Sequence, residues 1–396
     1  MQRLSRVEHP VIRHTRNGGR DNLYCRLGEE TSRQRASPFR VFNAACSLSF
    51  FVVRDRRAYF LDLMDISSNA SPRRFCVAPM IDWTDRHCRA FHRMFTRKAW
   101  LYTEMITTGA LLHGDVRRHL DFGETEHPVA LQLGGSEPDD LARAAKLGAQ
   151  WGYDEINLNC GCPSERVQRG AFGACLMREP VTVVDCVKAM RDAVTLPVTV
   201  KHRIGIDYEA SYDFVRDFVG TIADAGCETF IVHARNAVLK GLSPKQNREI
   251  PPLRYDVVRQ LKRDFPHLEI ILNGGVQTLD QVKELLKDVD GVMVGREAYQ
   301  NPGMLRGVDR RIYGVDTIDV DDATVEAALH QYIESAHRTG TPLNAMVRHI
   351  LGWHRGAPGA RAWRRVLSDS PRLAQGDFTI FDEANAHLRS TSFAVR

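Results

Sequence analysis

The chain has 396 residues, 43% hydrophobic and 26% charged, a globular composition large enough for one big domain and a smaller companion. Its formal net charge of +5 is uneven: residues 1–74 hold 14 Arg, no Lys and 7 acidic residues, so the remainder is slightly acidic and overall charge is no argument for nucleic-acid binding. No apolar run approaches the roughly 20 residues that span a bilayer, and nine cysteines without regular spacing argue for a reducing, cytoplasmic setting over a disulfide framework.

Residues 1–73 show no hydrophobic period and read as an N-terminal extension outside the folded unit. They are rich in Arg and Ser, as a transit peptide is, but also contain Glu8, Asp21, Glu29, Glu30 and Asp55. Met64, about ten residues before the first apolar run, is expected to be a sufficient start. From Phe75 short apolar runs alternate with longer amphipathic ones. Strands are predicted at F-C-V-A-P (75–79), A-W-L-Y-T-E (99–104), P-V-A-L-Q-L (128–133) and E-I-N-L-N (155–159). Four more follow at P-V-T-V-K (197–201), T-F-I-V-H-A (229–234), E-I-I-L-N-G (269–274) and G-V-M-V-G (291–295). Helical patterns lie between most of them, among them 139–150, 181–193, 212–225 and 279–286. Apolar runs separated by helices are parallel strands of βα units. Eight of them over residues 74–318 predict a (β/α)8 TIM barrel, an α/β fold, with an open doubly wound sheet as the alternative. Past residue 319 strands cease. Helical patterns at 323–338, 342–355, A-W-R-R-V-L and 377–388 predict a small C-terminal helical domain over 319–396.

Each predicted strand ends in polar or glycine residues, where barrels of this type carry their active sites. N-G-G (273–275) and G-R (295–296) close the last two strands. Glycines let backbone N–H groups approach an anion and an arginine adds charge, so this pair predicts a phosphate-bearing ligand. Neither a P-loop nor G-x-G-x-x-G is present. Lys201 ends an apolar strand, where a cation could face the anionic edge of a reduced flavin; the plainer reading is a salt bridge to Glu104 or Glu155. His233 alone is more often a core histidine, but beside Lys201, Gln132 and Asn273 it suits a ring or phosphate contact. The segment N-L-N-C-G-C-P-S (157–164) admits a metal site, a redox pair or one reactive thiol. No further ligand stands at metal-site spacing, and C-x-C closes a strained disulfide loop. Cys160 directly follows the strand and is expected in packing; Cys162, before Pro163, is the candidate acid–base thiol.

Together these residues resemble the tRNA-dihydrouridine synthases, flavoenzymes that reduce uridine in tRNA. The resemblance runs from about Phe75 to about Arg365. It is carried by V-A-P-M-I-D-W-T-D-R-H-C-R (77–89), Y-T-E-M (102–105), L-Q-L-G-G (131–135), N-L-N-C-G-C-P-S-E-R-V-Q-R-G-A-F-G-A-C-L-M (157–177) and K-H-R-I-G-I-D (201–207). K-G-L-S-P-K-Q-N-R (240–248) is similar to the bacterial A-type branch, which acts around position 20/20a of the D loop. The first 70 or so residues have no counterpart in that family. The resemblance implies that reduced FMN delivers hydride to C6 of uracil, Cys162 protonates C5, and NADPH reduces the flavin over the same face. It implies FMN contacts at Pro79, Met80, Ile81, Gln132, Lys201, His233, Asn273, Gly274, Gly275, Gly295 and Arg296. It further implies tRNA contacts at Asn159, Lys245, Arg248, Arg361 and Arg364, a monomer, no metal and no membrane. The rivals are an FMN barrel acting on a free pyrimidine or enone, and a non-catalytic tRNA-binding protein.

Overall fold

The computed structural model describes residues 71–392. Eight strands pair in the order β1-β8-β7-β6-β5-β4-β3-β2. They are β1 (Phe75–Val77), β2 (Leu101–Thr107), β3 (Val129–Gly134), β4 (Glu155–Cys160), β5 (Val198–Arg203), β6 (Thr229–His233), β7 (Glu269–Asn273) and β8 (Gly291–Val294), and every pairing is parallel. Trp100, just ahead of β2, brings the ends together: its N–H donates to the Phe75 carbonyl and its own carbonyl accepts from Val77 N, both at 2.9 Å. The fold is the predicted TIM barrel. Strand β1 is shorter than predicted because Pro79 has no N–H to offer the ladder. Strand β2 starts later and runs on to Thr107, with a register shift between Tyr102 and Met105.

Helices follow the strands. Helix α1 (Arg86–Arg93) is capped by Asp85, whose carboxylate accepts from His87 N at 2.9 Å and Cys88 N at 3.0 Å. Helices α2 (Pro138–Trp151) and α3 (Pro180–Ala193) each begin with proline at the first position, where no intrahelical donor is needed. The ring continues with α4 (Tyr212–Asp224), α5 (Tyr255–Asp264), α6 (Leu279–Leu285) and the short α7 (Arg296–Gln300). Beyond the barrel lie α8 (Asp322–Arg338), α9 (Leu343–Ile350), α10 (Ala360–Leu367) and α11 (Thr379–Ser392). The helix predicted over 342–355 stops at Ile350. Gly352 passes so close to the segment after β8 that a Cβ there would meet the Gln300 carbonyl oxygen at 2.6 Å. No helix among the described residues is long and apolar enough to cross a membrane.

Strand side chains alternate, so every second residue faces the barrel interior. In β4 this turns Glu155, Asn157 and Asn159 inward and sends Ile156, Leu158 and Cys160 into the layer beneath the helices. The outer layer is an apolar core that includes Leu131, Leu158, Val200, Val232 and Leu272, all fully buried. The inner column begins at the amino ends of the strands with charge. Arg73 is 6% exposed, although the sequence reading assigned it to the N-terminal extension. Its Nε donates to Glu155 at 2.7 Å, and its guanidinium reaches Glu269 at 3.0 Å. Above it an apolar layer of Tyr102, Ala130, Ile231, Ile271 and Met293 fills the barrel. Removing one partner of a buried pair leaves the other charge uncompensated. Arg73→Ala should therefore cost about 3–5 kcal/mol of stability, measured by urea denaturation; a loss below about 1 kcal/mol would show that the floor pair is not structural.

Candidate active site

At the carboxyl end of β4 the inward column reaches the loop that carries Cys162. The Asn159 carboxamide oxygen accepts from Gly161 N at 3.1 Å and from Cys162 N at 3.0 Å. The Cys162 carbonyl accepts from Ala174 N at 2.9 Å, and its Sγ lies 3.5 Å from the Ser164 hydroxyl. Gly173, at φ 77°, is required there: a Cβ would stand 2.7 Å from the Cys162 carbonyl oxygen. Gln168 pins the loop further by donating to the carbonyls of Pro163 at 2.8 Å and Leu239 at 3.0 Å. Cys162 is half-buried at the mouth, whereas Cys160 is fully buried in the outer core, where burial drives its thiol well above the usual range. The two thiols thus face different compartments. No group of three or more His, Cys, Asp or Glu able to hold a metal lies among the described residues.

The neighbouring strands supply cations. Lys201 pairs in register with Asn159. Burial, then the nearby Arg203, brings its ammonium down to about 7, while an ionised Cys162 would act in the opposite sense. Neither expected carboxylate partner holds Lys201: Glu155 is taken by Arg73, and Glu104 accepts from Asp82 N. Arg203, 3% exposed, was missed in the sequence reading. It ties three loops together by donating to the carbonyls of Gly161 at 2.9 Å, Asn236 at 3.1 Å and Asn247 at 3.0 Å. Burial lowers it to about 10, with Cys162 opposing and Arg248 and Arg235 adding to the fall. The same period of two that points Lys201 inward points Arg203 inward, and His233 likewise implies Arg235. Those were the available signals.

His233 sits among Arg203, Lys201, Arg235 and Arg248; burial first, then these charges, push it well below its usual range, so it is neutral. Beside it Gly274 adopts φ 125°, and a Cβ would meet the His233 ring at 2.9 Å. Gly275 faces Leu253 in the same way, at 2.5 Å. Asn273 donates to the Met293 carbonyl at 2.8 Å, and Gly295 lies over Ala78 and Met80. Arg296 is ion-paired with Glu249 at 2.6 Å. Arg235 Nε is buried with no hydrogen-bond partner. An unpartnered donor, side-chain-free backbone and several cations could hold an anion here, and these residues fit a flavin phosphate.

The loop after β1 lies beside Gly295 at the end of β8, since β1 pairs with β8. Ile81, 53% exposed, and exposed Asp82 follow half-buried Met80, while Gln132 is buried with its amide donating to Asn157 at 2.7 Å. Asn159 is 8% exposed, and its carboxamide serves Gln132 and the cysteine loop, leaving one N–H for the base contact expected of it. Lys245 and Arg248 are exposed on the loop after β6. Arg361 is exposed on α10, and Arg364, one turn on, lines a cavity of about 310 Å³ with Tyr299, Gln300, Arg348 and Arg355.

Comparison with known proteins shows the family. The family model described as dihydrouridine synthase matches residues 76–387. A tRNA-dihydrouridine(20/20a) synthase of Salmonella typhi is 58% identical over 322 residues, covering 81% of this chain and 97% of the relative. The Escherichia coli K12 protein of the same name is 58% identical over 312 residues, 78% of this chain and 90% of the relative. One from Pseudomonas putida is 57% identical over 312 residues, 79% and 93%. The chain belongs to the dihydrouridine synthase family, whose members are flavin-dependent oxidoreductases.

The depressed Lys201 ammonium gives a test with a defined sign. Folded, it titrates at about 7; unfolded, it titrates near 10.5. Between these values the unfolded chain binds the extra proton at this residue, so the contribution of Lys201 to the stability of the flavin-free protein rises with pH across that window. Lys201→Met should be more stable than the parent at or below pH ~7, and its advantage should shrink toward pH ~10. Urea denaturation of both proteins across this range checks it; a difference independent of pH would contradict the buried, partner-free setting.

Proposed function

We propose that the protein reduces uridine to 5,6-dihydrouridine in the D loop of tRNA, around position 20/20a, using bound FMN and NADPH. The observation that carries this reading is the half-buried Cys162, held by Asn159 at the mouth of the barrel and flanked by Lys201 on the next strand. Gly274, Gly275, Gly295 and Arg296 would hold the FMN phosphate. Pro79, Met80, Ile81, Gln132, Lys201, His233 and Asn273 would surround the rest of the cofactor. When bound and reduced, the flavin supplies hydride to C6 of the uracil ring.

The protein supplies the remainder. Charge that builds on C5 and O4 of an α,β-unsaturated carbonyl is quenched by a proton from a positioned acid, and Cys162 is that acid. Lys201, poised near neutrality, takes up a proton when negative charge arrives beside it. Neutral His233 offers a hydrogen bond without a competing positive charge. A uridine inside a folded tRNA has to leave its stack to reach this pocket. The affinity then comes from phosphate contacts, for which Lys245, Arg248, Arg361 and Arg364 are placed on the rim and on the C-terminal helices over 319–396. These helices serve as the tRNA-binding part and residues 74–318 as the catalytic part.

Separating the two half-reactions tests the thiol. Cys162→Ala should retain FMN and NADPH oxidation yet lose about 10²–10⁴-fold in dihydrouridine formation, whereas Cys160→Ala should alter turnover little. Near-parental turnover by Cys162→Ala would remove the assignment. A second measurement addresses the cations: Arg364→Ala should weaken tRNA binding and reduce the slope of log affinity against log salt by about one. Unchanged tRNA affinity across several salt concentrations would exclude that contact.

A further inference from the structure

The inner column of β3, β4 and β5 is one directed chain of hydrogen bonds running from the barrel floor to the cysteine loop. Its floor end is Glu155, fully buried and ion-paired with Arg73, so its oxygens only accept. The Thr199 hydroxyl donates to Glu155 Oε1 at 2.5 Å, and Tyr102 donates to the same oxygen at 2.9 Å. With its proton spent, Thr199 Oγ1 has to accept, and it does so from Asn157 Nδ2 at 2.7 Å. That turns the Asn157 carbonyl oxygen toward Gln132 Nε2, again at 2.7 Å. Gln132 in turn presents its oxygen to Asn159 Nδ2 at 2.8 Å. Asn159 is then left with its oxygen facing the loop, where it accepts from Gly161 N and Cys162 N at 3.1 and 3.0 Å.

Both ends of the chain are chemically one-way. A carboxylate cannot donate and a backbone N–H cannot accept. Each amide between them can satisfy its neighbours in a single orientation, because flipping any one would set NH2 against NH or oxygen against oxygen. In a buried environment an unmade hydrogen bond is costly, so the orientation is held.

We propose that Thr199 and Asn157 are positioning residues for the reaction: they transmit the polarity of the floor carboxylate to Asn159, which thereby fixes the Cys162 loop. Neither is proposed to touch the substrate; the sequence marks Asn157 only as one of the polar residues at the end of β4 and gives Thr199 no role. The proposal rests on the reading of Cys162 as the proton donor. The chain also orients Gln132, so the amide expected beside the cofactor presents a fixed edge to it.

The test replaces the hydroxyl link. Thr199→Val removes the donor to Glu155 and the acceptor for Asn157 at nearly constant volume; Thr199→Ser retains both. Thr199→Val is expected to keep its flavin content and its KM for tRNA while kcat falls about tenfold, the size expected of one unmade buried hydrogen bond. A readout independent of catalysis accompanies it: alkylation of Cys162 by iodoacetamide, followed on its peptide by mass spectrometry with half-buried Cys175 as internal control. The loosened loop should react several-fold faster at Cys162 and unchanged at Cys175, and Thr199→Ser should restore both kcat and the parental alkylation rate. Asn157→Ala breaks the adjacent link without touching Glu155, and should give the same phenotype if Thr199→Val does not accumulate as folded protein. Parental kcat and parental Cys162 alkylation in a folded variant would overturn the proposal, as would Thr199→Ser behaving like Thr199→Val. If the parent itself fails to modify tRNA, the functional reading fails, yet the alkylation comparison still reports on the chain.

Discussion

A carboxylate with no exposure, Glu155, stands at the centre of the barrel floor and has to be supplied with donors. Arg73 closes the floor from below, and Tyr102 and Thr199 donate from the walls. The apolar layer above would be an ordinary barrel filling but for the polar residues that pass beside it on β3, β4 and β5. Those residues carry the constraint to the opposite end of the strands, where Asn159 meets the backbone of the cysteine loop. The stability of the floor and the geometry of the Cys162 loop are thus two ends of one hydrogen-bonded column.

Around the mouth the chemistry is divided by strand. Strands β3 and β4 contribute amides and the thiol, which act through orientation. Strands β5 to β8 contribute Lys201, Arg203, Arg235 and Arg296 with the glycines of N-G-G, which act through charge and close approach. Arg203 joins the two halves by bonding the Gly161 carbonyl on one side and the Asn236 and Asn247 carbonyls on the other. The C-terminal helices engage the same rim. Arg348 and His349 of α9 both contact Asp85 at the start of α1; burial alone would raise this carboxyl, and the two partners outweigh it and hold it well below the usual range. Trp83 stacks on Tyr299 with ring centroids 4.4 Å apart, so the loop after β1 is fastened to the segment after β8 as well.

Much of this was legible in the sequence because it is local. Eight apolar runs with polar ends gave the strands and the face on which the site lies, and N-C-G-C-P set the buried thiol apart from the accessible one. Lys201 and His233 stood out as polar residues ending apolar strands. Other features depend on which strands become neighbours. Arg73 lies in an Arg-rich stretch, and only closure of the barrel places it between Glu155 and Glu269. The Arg296–Glu249 pair joins two loops 47 positions apart. Asn159 was expected beside the base through the family resemblance alone; in the folded chain its carboxamide is mostly engaged by Gln132 and the loop, partners that only strand pairing brings to it. Residues 1–70, including Met64, lie outside the described residues.

The most direct measurement of the account is to map dihydrouridine in an unmodified tRNA transcript after incubation with the purified protein, FMN and NADPH. The account predicts dihydrouridine at position 20 or 20a of the D loop and at no uridine outside that loop. A protein that oxidises NADPH and reduces a free pyrimidine or enone while leaving the transcript unmodified would contradict it.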